Sequence, residues 1–314
     1  ENCQPEKALP FLLQSIEAEP DSYTAWAKIA SAYQLTGDLD KALIAAEKAT
    51  ALNPTSVKAH LEAGKISRAK GEFPKALEQA KLAISLDPED AANYVFLAKL
   101  LVEQGDSTSA LEMLEKASTC AADSVTTMVE HANLVKTING SIAARDLIES
   151  FSKKYPQNAD LLVLLAEAES QIGQIKSAEE AAKKALELRP RDLDAHMLLG
   201  KLEEKRGNLD QAAQYYSQAI AIEPGKFEGY LQLSHIFINQ REYTKAREVM
   251  EKGIEQVPPH VQMFLACADL YKEVRNYQDA EKMLRKASIL EPKNVQIQRQ
   301  LGAVLALNLV HQSQ

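Results

Sequence analysis

Residues 23–54 read YTAWAKIASAYQLTGDLDKALIAAEKATALNP. Trp26, Ile29, Ala30 and Tyr33 recur at spacings of three and four, which puts them on one face of a first helix. Gly37 follows at the point where a helix closes in the left-handed conformation, and Asp38 or Asp40 stands where the next helix needs a cap. Ala42, Ala46 and Ala49 give that second helix a small-residue face, so two antiparallel helices can approach closely. Pro54 has no backbone N–H and stops it. The stretch predicts two helices joined by a tight turn.

The same layout repeats outward in both directions. Prolines fall at Pro20, Pro54, Pro88, Pro156, Pro190, Pro224, Pro258 and Pro292, every 34 residues except one interval of 68, whose midpoint is Ala122. A fixed period of this length signals a solenoid whose units bury their apolar faces only against neighbours. The turn glycine returns at Gly71, Gly105, Gly173 and Gly207. The small residue opening the second helix returns at Ala76, Ala110, Ala144, Ala178, Ala212, Ala246 and Ala280. His60, Tyr94, Met128, Leu162, His196, Tyr230 and Phe264 occupy the Trp26 slot.

In order and spacing this pattern resembles the tetratricopeptide repeat (TPR) family. The resemblance implies an all-α, right-handed superhelical solenoid that binds partners on a concave face lined by the first helices. The division it suggests is 1–20, a second helix without its first; 21–124, three repeats; 125–156, an irregular repeat; 157–292, four repeats; and 293–314, a terminal first helix. The irregular copy lacks the preceding proline, turns at Thr137-Ile138-Asn139-Gly140 and carries Phe151 at an alanine slot. It reads either as drift with the fold retained or as a joint. The half-repeats at both ends suggest a segment of a longer protein, and the regular second helices look similar to those of long bacterial arrays, some of which assist envelope assembly or polysaccharide export.

Composition narrows the function classes. The chain has 46% hydrophobic residues, few aromatics and no apolar run of membrane-spanning length, which reads as a soluble segment, cytoplasmic or periplasmic. A net charge of −8 and a pI near 5.4 disfavour nucleic acid as partner. Cys3, Cys120 and Cys267 are odd in number and far apart, and the six histidines are dispersed, so neither a metal set nor a cofactor is expected. Phosphate-cradling glycines, a His-Glu-x-x-His helix and a nucleophile elbow are all missing from the sequence, which reads as no enzyme.

What remains is a surface for protein or peptide. If the family's geometry carries over, the residues following the Trp26 slot face the groove: Ala27, Leu61, Val95, Val129, Val163, Met197, Leu231 and Leu265. They form either an apolar docking stripe or packing between repeats. Farther along the same helices Lys65, Arg68, Lys99, Asn133 and Lys136 make a polar, mostly basic strip suited to acidic peptide. The family's chaperone-tail clamp is absent, and so is its asparagine ladder, whose successive positions hold Lys28, Glu62, Phe96, Glu130 and Leu164. The alternative to a scaffold is a regulatory or substrate-recruiting arm of a larger enzyme, and the uncapped terminal helices allow self-association.

Overall fold

The structure, a computed structural model, describes residues 5–121 and 124–312. Cys3, Ala122 and Asp123 lie outside the described residues. Seventeen helices and no strand occur among the described residues. They divide into two compact units, 1–151 and 152–314.

The first unit holds α1 (Pro5–Ala18), α2 (Tyr23–Thr36), α3 (Leu39–Leu52), α4 (Val57–Lys70), α5 (Phe73–Leu86), α6 (Ala91–Glu103), α7 (Ser107–Cys120) and most of α8 (Val125–Lys154). α2 packs on α3, α4 on α5 and α6 on α7, and α1, α3 and α5 each also pack on the first helix that follows. Asp38, rather than Asp40, caps α3, accepting a hydrogen bond from the Lys41 amide at 3.2 Å. The eight alanines that open the second helices, from Ala42 to Ala280, are at most 4% exposed, which is why no larger residue stands there.

The irregular repeat keeps this hairpin by other means. α8 is helical on either side of Gly140, whose φ of 87° and ψ of 175° break it. Twenty residues of straight helix would separate His131 from Phe151 by about 30 Å, yet their rings lie 5.9 Å apart. Gly140 therefore folds the second leg back onto the first. His131 is buried there, 2.8 Å from the Ser118 hydroxyl, and desolvation lowers its pKa.

The second unit continues with α9 (Ala159–Gln171), α10 (Ile175–Leu188), α11 (Leu193–Arg206), α12 (Leu209–Ile222), α13 (Phe227–Asn239), α14 (Tyr243–Gln256), α15 (Val261–Glu273), α16 (Tyr277–Leu290) and α17 (Val295–Gln312). Its largest core gathers Tyr216, Tyr230, Ile236, Met250 and Cys267. Burial pushes the Cys267 thiol up to about 12, so it behaves as a small core residue rather than a nucleophile. The turn glycines Gly37, Gly71, Gly105, Gly173 and Gly207 hold φ between 82° and 84°. Arg241 and Arg275, one and two periods beyond Gly207, take the same left-handed region at φ 62° and 58°, so the turn is imposed by the packing of the flanking helices even without glycine.

The Trp26 slot does more than fill space. Trp26 donates its indole N–H to the Pro20 carbonyl at 2.8 Å, Tyr94 its hydroxyl to Pro88 at 3.1 Å and Tyr230 to Pro224 at 3.1 Å, while a His60 ring nitrogen lies 2.9 Å from the Pro54 oxygen. Each bond spans six residues and pins the start of a first helix to the turn before it. Proline and slot residue thus form a functional pair.

Candidate functional site

Two adjoining clefts open along the first helices of the first unit. The larger, about 620 Å³, has Lys65 and Arg68 of α4 on one side, Ala92, Val95, Phe96 and Lys99 of α6 along its wall, and Thr126, Thr127 and Glu130 of α8 opposite. Glu89 and Asp90, from the turn before α6, complete the rim. The smaller, about 500 Å³, lies between α2 and α4, lined by Tyr23, Thr24, Ala27, Lys28 and Ser31 on one helix and by Ser56, Lys58, Ala59 and Glu62 at the other. In the second unit a cleft of about 200 Å³ is lined by Asp194, Met197 and Lys201 of α11 and by Glu228 and Gly229 of α13.

Ala27, Val95 and Met197 each line one of these clefts, and they stand whole multiples of 34 residues apart. The clefts therefore share one register, set by the repeat. The other stripe residues are placed differently. Leu61 packs against the cluster of Ala76, Ala80 and Phe96; Val163 belongs to a buried cluster with Leu162 and Ala185; Leu231 and Leu265 pack against the large core of the second unit. Val129 is half-buried and does not line the large cleft.

The basic strip is not a free positive surface. Lys65 bonds Glu62 at 2.9 Å. Arg68 holds Glu103 through Nε at 2.9 and 3.0 Å and through a second guanidinium nitrogen. Lys99 bonds Glu130 at 2.8 Å. Lys65, Arg68 and Lys99 come together in the large cleft, each with a carboxylate in hand, whereas Asn133 and Lys136 are exposed and lie outside its lining. Glu62 and Glu130 sit at the slot where the asparagine ladder fails; Glu62 is one helical turn from Lys65, a spacing that signals self-pairing in the sequence, whereas Glu130 meets Lys99 from the neighbouring repeat. In the second unit, desolvation and then the Asp194 carboxylate raise the Glu167 pKa, while Lys201 opposes them.

Tetratricopeptide repeat family models match residues 23–56, 57–124, 163–226 and 205–270. The chain belongs to the tetratricopeptide repeat family. The matches leave residues 1–22, 125–162 and 271–314 uncovered, the middle gap containing the irregular repeat at 125–156. Among solved structures, a TPR protein from Parabacteroides merdae is 18% identical over 79% of this chain and 98% of its own, with a TM-score of 0.51. A chain of the APC/C hetero-tetramer Cut9-Hcn1 is 15% identical over 96% of this chain, with a TM-score of 0.50, and this chain spans 59% of its length. At such identities the likeness is one of fold. No curated protein matches the sequence.

TPR repeats generally mediate protein–protein interaction, and the fold is typically a non-catalytic scaffold. Among the described residues no group of three or more His, Cys, Asp and Glu is arranged to hold a metal ion, and no helix is long and apolar enough to cross a membrane. What the TPR clefts offer chemically is an apolar wall with fixed charges at its rim, suited to a short segment of polypeptide.

Proposed function

We propose that this chain is a protein-interaction scaffold that holds peptide segments of its partners along the first-helix face of the first unit. The observation that carries this reading is the 620 Å³ cleft, in which the Val95 and Phe96 wall meets Lys65, Arg68, Lys99 and Glu130 at the rim. An apolar side chain of the partner fills the cleft, and polar groups of its backbone or flanking residues exchange with the rim ion pairs. Exposed pairs of this kind contribute about 0–1 kcal/mol each, so opening one costs little. An envelope or polysaccharide-assembly scaffold and the recruiting arm of an enzyme would both use this surface.

The test is selection of binders from random short peptides, followed by amide-resonance mapping. Selected peptides are expected to shift resonances in α4, α6 and the start of α8, and Ala92→Arg, at an exposed position of the cleft wall, is expected to remove their binding while leaving the helical melting curve in place. Selection of no peptide, or binding indifferent to Ala92→Arg, would sink the proposal.

A further inference from the structure

We infer that Asn139 is a site of spontaneous covalent modification, where the Gly140 amide nitrogen closes on the Asn139 side chain and the turn of the irregular repeat is converted to aspartate and isoaspartate. Asparagine is among the thermolabile residues. Six glycines hold a left-handed φ among the described residues, and the residues before them are Thr36, Lys70, Gln104, Asn139, Ile172 and Arg206. Asn139 alone among the asparagines of the sequence precedes a glycine. The pair arises because the turn is displaced by one residue. Three periods on from Gly37 the chain has Asn139, and Gly140 follows in the slot where Asp38 caps α3.

The local geometry leaves the reacting atoms open. Asn139 and Gly140 are both exposed, and a Cβ at Gly140 would meet nothing within 4 Å. Having no Cβ, glycine neither shields its nitrogen nor resists the backbone rotation that ring closure requires. Other turn asparagines are held and are followed by a substituted residue. Asn53, Asn158, Asn276 and Asn294 each accept a backbone N–H through the side-chain oxygen at 3.0 to 3.2 Å, and they precede Pro54, Ala159, Tyr277 and Val295. The Asn139 side chain makes no hydrogen bond among the described residues, so it is free to turn toward the Gly140 nitrogen.

In the first step the Gly140 nitrogen gives up its proton and attacks Asn139 Cγ. The bond from Cγ to the side-chain nitrogen breaks, ammonia leaves with the proton, and a succinimide remains. Water then opens the ring. Cleavage between Cγ and the Gly140 nitrogen leaves aspartate on an unchanged main chain. Cleavage between the Asn139 main-chain carbonyl carbon and that nitrogen leaves isoaspartate, with the chain now running through Cβ and Cγ. The net change is one water consumed and one ammonia released. Isoaspartate adds a methylene to the link that brings the His131 and Phe151 rings to 5.9 Å, and so loosens the hairpin that Gly140 closes. Its carboxylate also falls at the C-terminal end of the first leg of α8, where the helix carbonyls disfavour negative charge.

The experiment incubates the full chain and Asn139→Gln at neutral and at mildly alkaline pH. Both are then mapped by mass spectrometry, with a fragmentation that separates isoaspartate from aspartate. Conversion is expected at Asn139 ahead of every other asparagine, with isoaspartate among the products, and faster at alkaline pH because the attacking nitrogen must lose its proton. Asn139→Gln is expected to lose the conversion while keeping the circular-dichroism melting curve, since its longer side chain would have to close a larger ring. The separated isoaspartate form is expected to melt below Asn139→Asp, which carries the charge without the added methylene. Conversion no faster at Asn139 than at other asparagines, or aspartate without isoaspartate, overturns the inference. An isoaspartate form that melts together with Asn139→Asp overturns the loosening of the hairpin.

Discussion

The two clefts of the first unit share a register and a wall yet differ in what their cations do. In the larger, Lys65, Arg68 and Lys99 are each occupied by Glu62, Glu103 or Glu130; in the smaller, Lys28 and Lys58 stand alone among the described residues. In a repeat protein, then, a basic residue at a groove position is available to a partner only if the residue one turn away, or the facing position one repeat on, is not a carboxylate. Counting lysines along the groove misses this.

The largest effect expected on this comparison comes from the wall itself. Gly64 lies on α4 between the clefts, and a Cβ there would come within 2.8 Å of the Phe96 ring, which lines the larger one. Gly64→Val should destabilise the first unit by about 1–3 kcal/mol through overpacking and should narrow the larger cleft in preference to the smaller. A lowered melting temperature with unequal loss of peptide binding would bear this out, and an unchanged melting curve would refute it.

A smaller effect tests the frame of the lower cleft. Trp26→Phe leaves a smaller aromatic ring and removes the N–H that holds the Pro20 carbonyl at 2.8 Å, and should cost about 1–2 kcal/mol by chemical denaturation. The carbonyl is near the surface and can take water instead, so a loss well above this would mean the ring's packing changed too.

Smaller still, and opposite in sign for binding, is the removal of counter-charges from the larger cleft. Glu62→Gln, Glu103→Gln and Glu130→Gln together should leave the melting curve nearly where it was, because exposed pairs contribute little. They should raise affinity for acidic peptides several-fold by releasing Lys65, Arg68 and Lys99 from their pairs. Unchanged affinity would mean that pairing does not limit that cleft.

The last comparison is one of pH. Burial depresses the His131 pKa in the folded chain, so the unfolded chain takes up the proton first as pH falls. The corresponding stability is present in full above the unfolded histidine value near 6.5 and is lost as pH drops from there through the lower folded pKa. His131→Gln should flatten acid unfolding of the first unit over that window, and an equally steep profile in the variant would count against it.

Residues 23–54 and the proline period were enough to read the helix pairing, the turn positions and the alanine contacts, because each depends on local spacing or on a side chain too small to be replaced at a close approach. Asp38 over Asp40 as cap, and the slot side chains that bond the proline carbonyls, needed coordinates, since spacing gives proximity but not which atom donates. Arg241 and Arg275 went unread as turn residues because nothing local asks arginine to adopt a positive φ; the packed helices around them do. The candidate site divides the same way. Sequence alone determined which helix face carries Lys65, Arg68, Lys99 and Val95, because a face follows from the helical period. Only the tertiary structure decided that Glu103 reaches Arg68 and Glu130 reaches Lys99 from the neighbouring repeat, and that nothing described reaches Lys28 or Lys58, because ion pairing depends on distances across repeats and not along the chain.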